Sequence, residues 1–244
     1  MHVTRDGAIV RVEFARPQVA NALNYQHLHD IETVSLALRD DEECRAVIFA
    51  GQGKHFSSGA DLKSPGAEYD GNLIMRRRKN RIGQRAVQAV LGIDQITIAA
   101  WHGAAVGGAA CLATAMDFRI GAVGCFMQYP EIDLGMNLMW KSLPLIVDLV
   151  GPARAKRLVA GGERIHDETL LQWGVLDELV APEELAASAQ KMAKFYAAKP
   201  PIAAQMIKQS INALCSPAGD AIMHMDVDQN LLTRRAENPT RSDS

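Results

Sequence analysis

Few of the features that quickly narrow a function are present in this sequence. Its four cysteines, Cys44, Cys111, Cys125 and Cys215, lie far apart, with no C-x-x-C pair and no histidine at metal-ligand spacing. Neither a disulfide framework nor a metal site is expected. No segment approaches the roughly 18 uninterrupted apolar residues of a membrane-spanning helix. The start, MHVTRDGAIV, lacks a basic region leading into a long apolar run, so no secretory signal is read there. With 26 basic and 28 acidic residues the formal net charge is −2, and no global field draws the chain to nucleic acid or membrane. Low-complexity linkers and strict repeats are also missing. The default expectation is a cytoplasmic protein.

What is there suits one large domain: 244 residues, 48% apolar and 22% charged, enough to bury a substantial core. Val10, Val12 and Phe14 alternate with Arg11 and Glu13, the mark of a half-buried strand. Asn24 is placed to cap a helix in which Leu28, Ile31, Val34 and Leu38 recur at helical spacing. AVIFAG (46–51) and ITIAA (96–100) are short buried strands, and residues 72–93 predict a helix with a basic face. CLATAMD (111–117) looks helical, and FRIGAV (118–123) returns as a strand. After Gly135 the pattern is almost wholly helical, broken at Gly151, Gly161-Gly162 and Pro200-Pro201. Alternating strands and helices followed by helices predict an α/β unit with a C-terminal helical extension.

Two stretches of small residues follow buried strands. HFSSGADL (55–62) comes after the first, and WHGAAVGGAACLATAMDFRI (101–120) comes after the second. Glycine permits close backbone approach, and a helix beginning just past it points free N–H groups outward. Two such loops can each offer one N–H to the same oxygen, the physical recipe for an oxyanion hole.

In order along the chain, ARPQVANALN, AVIFAGQGKHFSSGADLK, IAAWHGAAVGGAACLATAMDFRI, MQYPEIDLG and VGPARAKRLVAGGERIHDETLLQWGVLDELV resemble the crotonase (enoyl-CoA hydratase/isomerase) superfamily. The resemblance covers about Val10 to Arg235. It implies a spiral of ββα turns over residues 1–190, and over 191–244 a C-terminal helical region that builds a homotrimer or a dimer of trimers. It also implies an acyl-CoA thioester as substrate, with coenzyme A as part of that substrate and no separate cofactor. The backbone N–H groups of Ser58 and Gly108 would be the oxyanion donors. Gln18, Val19 and Ala20, with Gly59, Ala60, Asp61 and Leu62, fall where relatives hold the adenine and pantetheine parts of coenzyme A. Gly107 and Cys111 would border the acyl group.

Hydratases of the family typically use two glutamates. By position the second is Glu131, while the first falls on Cys111. A thiol is a poor replacement, since its ordinary pKa is about 8.5 and burial raises it; most buried cysteines are simply small hydrophobes. Dienoyl-CoA isomerases add an acid at what is here Met139, and aryl-CoA dehalogenases place an aspartate near what is here Asn137, so neither chemistry is supported. A Δ3,Δ2-enoyl-CoA isomerase, however, needs one carboxylate to take a C2 proton and return it at C4. The expectation is therefore a single-glutamate isomerase or proton-transfer enzyme with Glu131 as acid/base. Alternatives are a 2-enoyl-CoA hydratase, a non-catalytic acyl-CoA binder, or an RNA-binding member using the basic run Arg76 to Arg85. Nucleic acid is the least expected partner, because no aromatic residue interleaves that run. The usual Gly-rich turn after the glutamate is replaced by MNLMWKSLP, which brings Met136, Met139 and Trp140; these either reshape the acyl pocket for a bulky or aromatic acyl group or, as Met and Trp at such spacing more often do, pack into the core. A closing C-terminal helix is expected to be missing or shortened.

Overall fold

The computed structural model describes residues 1–63, 72–215, 223 and 225–237. The strands are β1 (His2–Asp6), β2 (Ile9–Phe14), β3 (Ala46–Gly51), β4 (Ile96–Trp101), β5 (Ala104–Val106), β6 (Phe118–Ala122), β7 (Phe126–Gln128), β8 (Ile165–His166) and β9 (Glu178–Val180). The helices are α1 (Tyr25–Arg39), α2 (Leu73–Leu91), α3 (Gly108–Thr114), α4 (Leu143–Val159), α5 (Asp167–Gln172), α6 (Leu185–Ala197), α7 (Pro201–Cys215) and α8 (Asp226–Glu237). Six strands form one sheet in the order β1-β2-β3-β4-β6-β9, and three form a second in the order β5-β7-β8. The chain alternates between them. β4 joins the large sheet and β5 the small one, then β6 the large and β7 the small, so each turn advances both sheets by one strand. This is the expected spiral of ββα turns.

From β2 to β9 the large sheet is parallel and buried on both faces, as parallel sheets are. Alternation sorts its side chains into two cores. Val47 and Phe49 of β3, with Ala99 and Trp101 of β4, face the main core under α1 to α4. Ala46, Ile48 and Ala50, with Ile98 and Ala100, face α6 through Leu185, Ala189 and Ala193. A boundary at residue 190 would fall inside α6.

Asn24 caps α1 as expected, its side chain accepting from the His27 N–H at 2.9 Å. The break at Gly151 is present too, at φ 75° within α4. β1 was not apparent from sequence, because all five of its residues are exposed and carry no alternation. α3 begins three residues before the expected CLATAMD start, at Gly108, and ends before Met116.

Helix α7 is fixed to the sheet by a buried ion pair. Lys208 Nζ donates to Asp117 Oδ2 at 2.7 Å and to the Gln95 carbonyl at 2.8 Å. The same carboxylate oxygen accepts from Thr97 N and Oγ1 at 2.7 and 2.9 Å. Asp117→Ala would leave Lys208 buried without its carboxylate, and the expected cost is about 3–5 kcal/mol in chemical denaturation. Adding Lys208→Met should recover part of that loss. A single variant as stable as wild type would show that Lys208 readily reaches water.

Candidate active site

The two small-residue loops meet. Ser57 pairs with Ala105 and Leu23 pairs with Ala60 through isolated parallel bridges, which lays residues 57–60 between residue 23 and β5. Gly59 makes the contact possible: a Cβ there would stand 2.3 Å from the Val106 carbonyl oxygen and 3.4 Å from Gly108 N, at φ +84°. Only glycine fits at that distance and dihedral. Beside this junction opens a cleft of about 600 Å³, counting the part open to solvent, bordered by Ser58, Ala60, Leu62, Gly107, Gly108, Cys111, Glu131 and residues 136–140.

One of the two expected donors is not available at the junction. The Ser58 N–H donates to the Ala20 carbonyl at 2.9 Å, so it is already committed to the chain's own backbone. The residues flanking Ala60 face Leu23: the Asp61 N–H donates to Leu23 O at 3.0 Å, and the Leu23 N–H donates to Gly59 O at 2.8 Å. The backbone groups of the intervening residue in an extended segment point to the opposite side, which here is the side of Val106–Gly108. Ala60 N–H meets no backbone acceptor among the described residues. Gly108 opens α3, so its N–H is one of the orphan donors of a helix start. Ala60, not Ser58, is therefore the backbone donor that faces Gly108 across the cleft.

The remaining expected contacts divide. Leu62 lies exposed at the cleft edge. Gln18 and Val19 form a short 3-10 turn with Pro17, and neither borders the cleft. Asp61 is held by Arg16, whose Nη1 donates to Oδ2 at 2.8 Å, and so props the loop from behind.

Glu131 sits directly on Gly107: a Cβ on that glycine would lie 2.8 Å from Oε1. It precedes the 3-10 turn Ile132–Leu134 but makes no side-chain cap to it. The ordinary structural use of a glutamate at a helix start is thus not its use here. Its Oε2 is buried without a hydrogen-bond partner among the described residues. Burial of the charged form raises its pKa from 4.5 to about 7. A carboxyl poised near neutrality in a cleft is matched to moving protons at physiological pH.

Cys111 borders the same cleft but is otherwise occupied. The Ser142 hydroxyl lies 2.9 Å from its Sγ and donates to the Met139 carbonyl at 2.8 Å. The hydroxyl's single proton is shared between these two acceptors, the Cys111 sulfur and the Met139 carbonyl. Burial first, then the nearby Glu131 charge, drives the thiol far above its ordinary range. It stays protonated and does not act as a base.

Helix α8 borders the cleft, and residues 238–244, where a missing or shortened closing helix was expected, lie outside the described residues. Asn230 and Arg234 of this helix border the cleft. Asn230 Nδ2 donates to the Asn137 carbonyl at 3.3 Å, and the Lys141 N–H donates to Asp226 Oδ2 at 2.7 Å. Arg77 pairs with Asp228 of α8, and Arg85 pairs with Glu32 of α1 at 2.8 Å. Two members of the basic run are therefore paired within the chain, at its surface. Trp140 takes the core position that is the more frequent of its two expected places. Instead of widening the cleft, its ring turns inward, 7% exposed, onto Gly108.

Comparison with known proteins agrees with this architecture. The enoyl-CoA hydratase/isomerase family model matches residues 4–239. The chain is 30% identical over 209 residues to the short-chain-enoyl-CoA hydratase of Clostridium acetobutylicum, covering 85% of this chain and 79% of that one. It is 31% identical over 220 residues to the carnitinyl-CoA dehydratase of Salmonella enteritidis, covering 87% and 80%. The crystal structure of an enoyl-CoA hydratase/isomerase from Xanthobacter autotrophicus superposes with a TM-score of 0.88 at 26% identity, over 96% of this chain and 87% of that one. The chain belongs to the enoyl-CoA hydratase/isomerase family of acyl-CoA-processing enzymes, within the crotonase superfamily.

Proposed function

We propose that the protein stabilises the enolate of an acyl-CoA thioester and moves protons on it with one carboxylate, favouring 3-enoyl to 2-enoyl isomerisation or α-proton exchange over hydration. The N–H groups of Ala60 and Gly108 hold the thioester oxygen, where negative charge appears only as the α-proton leaves. Glu131 takes that proton from C2, and the carboxylic acid so formed returns it at C4. One base serves both steps, and the charge balances at each. The observation that carries the reading is Glu131, the one carboxyl that borders the cleft among the described residues, partly desolvated and with no hydrogen-bond partner for Oε2 among them. Across from it stands a protonated thiol where a second acid would have to be.

Hydration is the alternative, and it is favoured by the names of the relatives, which are those of hydratases and a dehydratase. Water addition asks for one group to activate the water and one to protonate the α-carbon. Cys111→Glu restores a second carboxyl and separates the readings. The expected result is a hydration-to-isomerisation ratio raised by at least about tenfold, a conservative share of what a positioned acid/base supplies. Assembly state and acyl-CoA affinity must be unchanged, because a buried extra carboxyl is costly. An unchanged ratio in a protein that still binds would count against the single-carboxylate account.

A homo-oligomer belongs to the same proposal. Helix α7 exposes Ile202, Met206, Ile207, Ile211 and Leu214, each more than half accessible. A single helix face this apolar is the kind that is covered by another subunit. No described helix is long and apolar enough to cross a membrane.

A further inference from the structure

Trp140 and Lys141 are consecutive non-glycine residues in the left-handed region, at φ 70° and 54°. Such residues are uncommon, and two in a row persist only where the surroundings hold them. The holding groups are visible. Lys141 N–H donates to Asp226 Oδ2 at 2.7 Å, and the Ser142 hydroxyl donates to the Met139 carbonyl at 2.8 Å. The backbone turn aims the indole into a slot between two helices, and the slot exists because both lack a side chain there. A Cβ on Gly83 of α2 would lie 1.9 Å from the ring's Cε2, and one on Gly108 of α3 would lie 2.1 Å from its Cζ3. Gly83 sits in a helix interior, where glycine is otherwise a poor choice.

The geometry points to Trp140 as the residue that sets acyl-chain length: its indole, seated between Gly83 and Gly108, ends the acyl part of the cleft and selects short acyl groups such as butyryl. This deepens the proposed function and rests on it. Gly108 offers its N–H to the thioester oxygen and its α-carbon to the indole, so a chain leaving the thioester carbon meets the ring within a few carbons. Leu138 and Met139 border the cleft beside it and offer apolar surface to a short chain. Trp140 touches the acyl group in this account but moves no proton. Asp226 is a positioning residue that acts through the turn.

Calorimetry with saturated, unreactive thioesters tests this: free coenzyme A, then butyryl-, hexanoyl-, octanoyl- and decanoyl-CoA. Wild type should bind butyryl-CoA at least about tenfold more tightly than decanoyl-CoA, since a pocket that must expel or distort even a methylene or two discriminates by this order. Trp140→Ala should shift the preference toward octanoyl- and decanoyl-CoA by at least about tenfold while leaving free coenzyme A affinity unchanged. Trp140→Phe should fall between. A folded Trp140→Ala protein with the wild-type ratio of octanoyl to butyryl affinity overturns the assignment. If that variant does not fold, wild type alone decides, because equal affinity for butyryl- and decanoyl-CoA also overturns it. Binding of free coenzyme A with no acyl preference rejects Trp140 while leaving the proposed function standing. Failure of wild type to bind any of the five ligands overturns both.

Discussion

Glu131→Gln is expected to retain acyl-CoA affinity and to lose about 10²–10⁴-fold in turnover, the usual contribution of a positioned acid/base. Glutamine keeps the size and one hydrogen-bonding oxygen but cannot carry the proton between C2 and C4. Calorimetry reports binding and an isomerisation assay reports turnover. The pH dependence provides a second signature. The base form is required first, so wild-type kcat/KM should rise with pH about a midpoint near 7, and the residual activity of the variant should lack that limb. Stability should move the opposite way. Below pH 4.5 the carboxyl is protonated in both folded and unfolded chains and contributes no slope. Between 4.5 and about 7 the unfolded chain ionises first, so stability falls as pH rises. The full penalty is reached above about 7 and amounts to roughly 3 kcal/mol. Glu131→Gln should therefore gain stability relative to wild type as pH rises through that window. Normal turnover in the variant would make Glu131 structural.

The second large effect concerns the oxyanion donors, and the structure complicates its simplest form. Gly108→Pro removes the N–H, but any Cβ at position 108 also strikes Trp140. The donor is isolated by comparing Gly108→Pro with Gly108→Ala in a Trp140→Ala background, where both carry the Cβ and only one keeps the N–H. The proline variant is expected to be about 10²–10³-fold slower in turnover, as for other lost oxyanion donors. Equal rates for the two would remove Gly108 from the oxyanion hole. Ser58→Ala should be mild, because neither its hydroxyl nor its N–H is assigned a role in the chemistry.

The contrast between Ser58 and Ala60 shows what could be read from sequence and what could not. The loops themselves were legible because two of them follow buried strands within a series of family motifs; small residues alone serve close helix–strand packing equally well. Which N–H faces the cleft depends on how residues 57–61 pair with residue 23 and with β5. That pairing is tertiary, and a two-residue error leaves the composition argument untouched. Strands β2, β3 and β4 showed their apolar patterns, and α1 showed its cap. β5, β7, β8 and β9, each three residues or fewer, are too short for any period to register. The start of α3 was hidden by its first residue, Gly108, a poor helix former that admits the Trp140 ring. Trp140 was visible as a departure from the family's turn, yet bulk in a sequence does not say whether a side chain widens a pocket or fills it. Asn230 and Asp226 were invisible for a similar reason. α8 is a mostly polar helix whose role comes from the turn it grips.

The central claim is that the enolate half of the chemistry is intact while the water-handling half is impaired. The most direct test is to incubate wild-type protein with short 3-enoyl- and 2-enoyl-CoA thioesters in deuterated water, reading products by mass spectrometry and NMR. The account predicts 3-enoyl to 2-enoyl conversion with deuterium entering at the positions Glu131 serves, at rates well above any addition of water. Rapid formation of the 3-hydroxyacyl product from the 2-enoyl thioester, with isomerisation slow or missing, would contradict it.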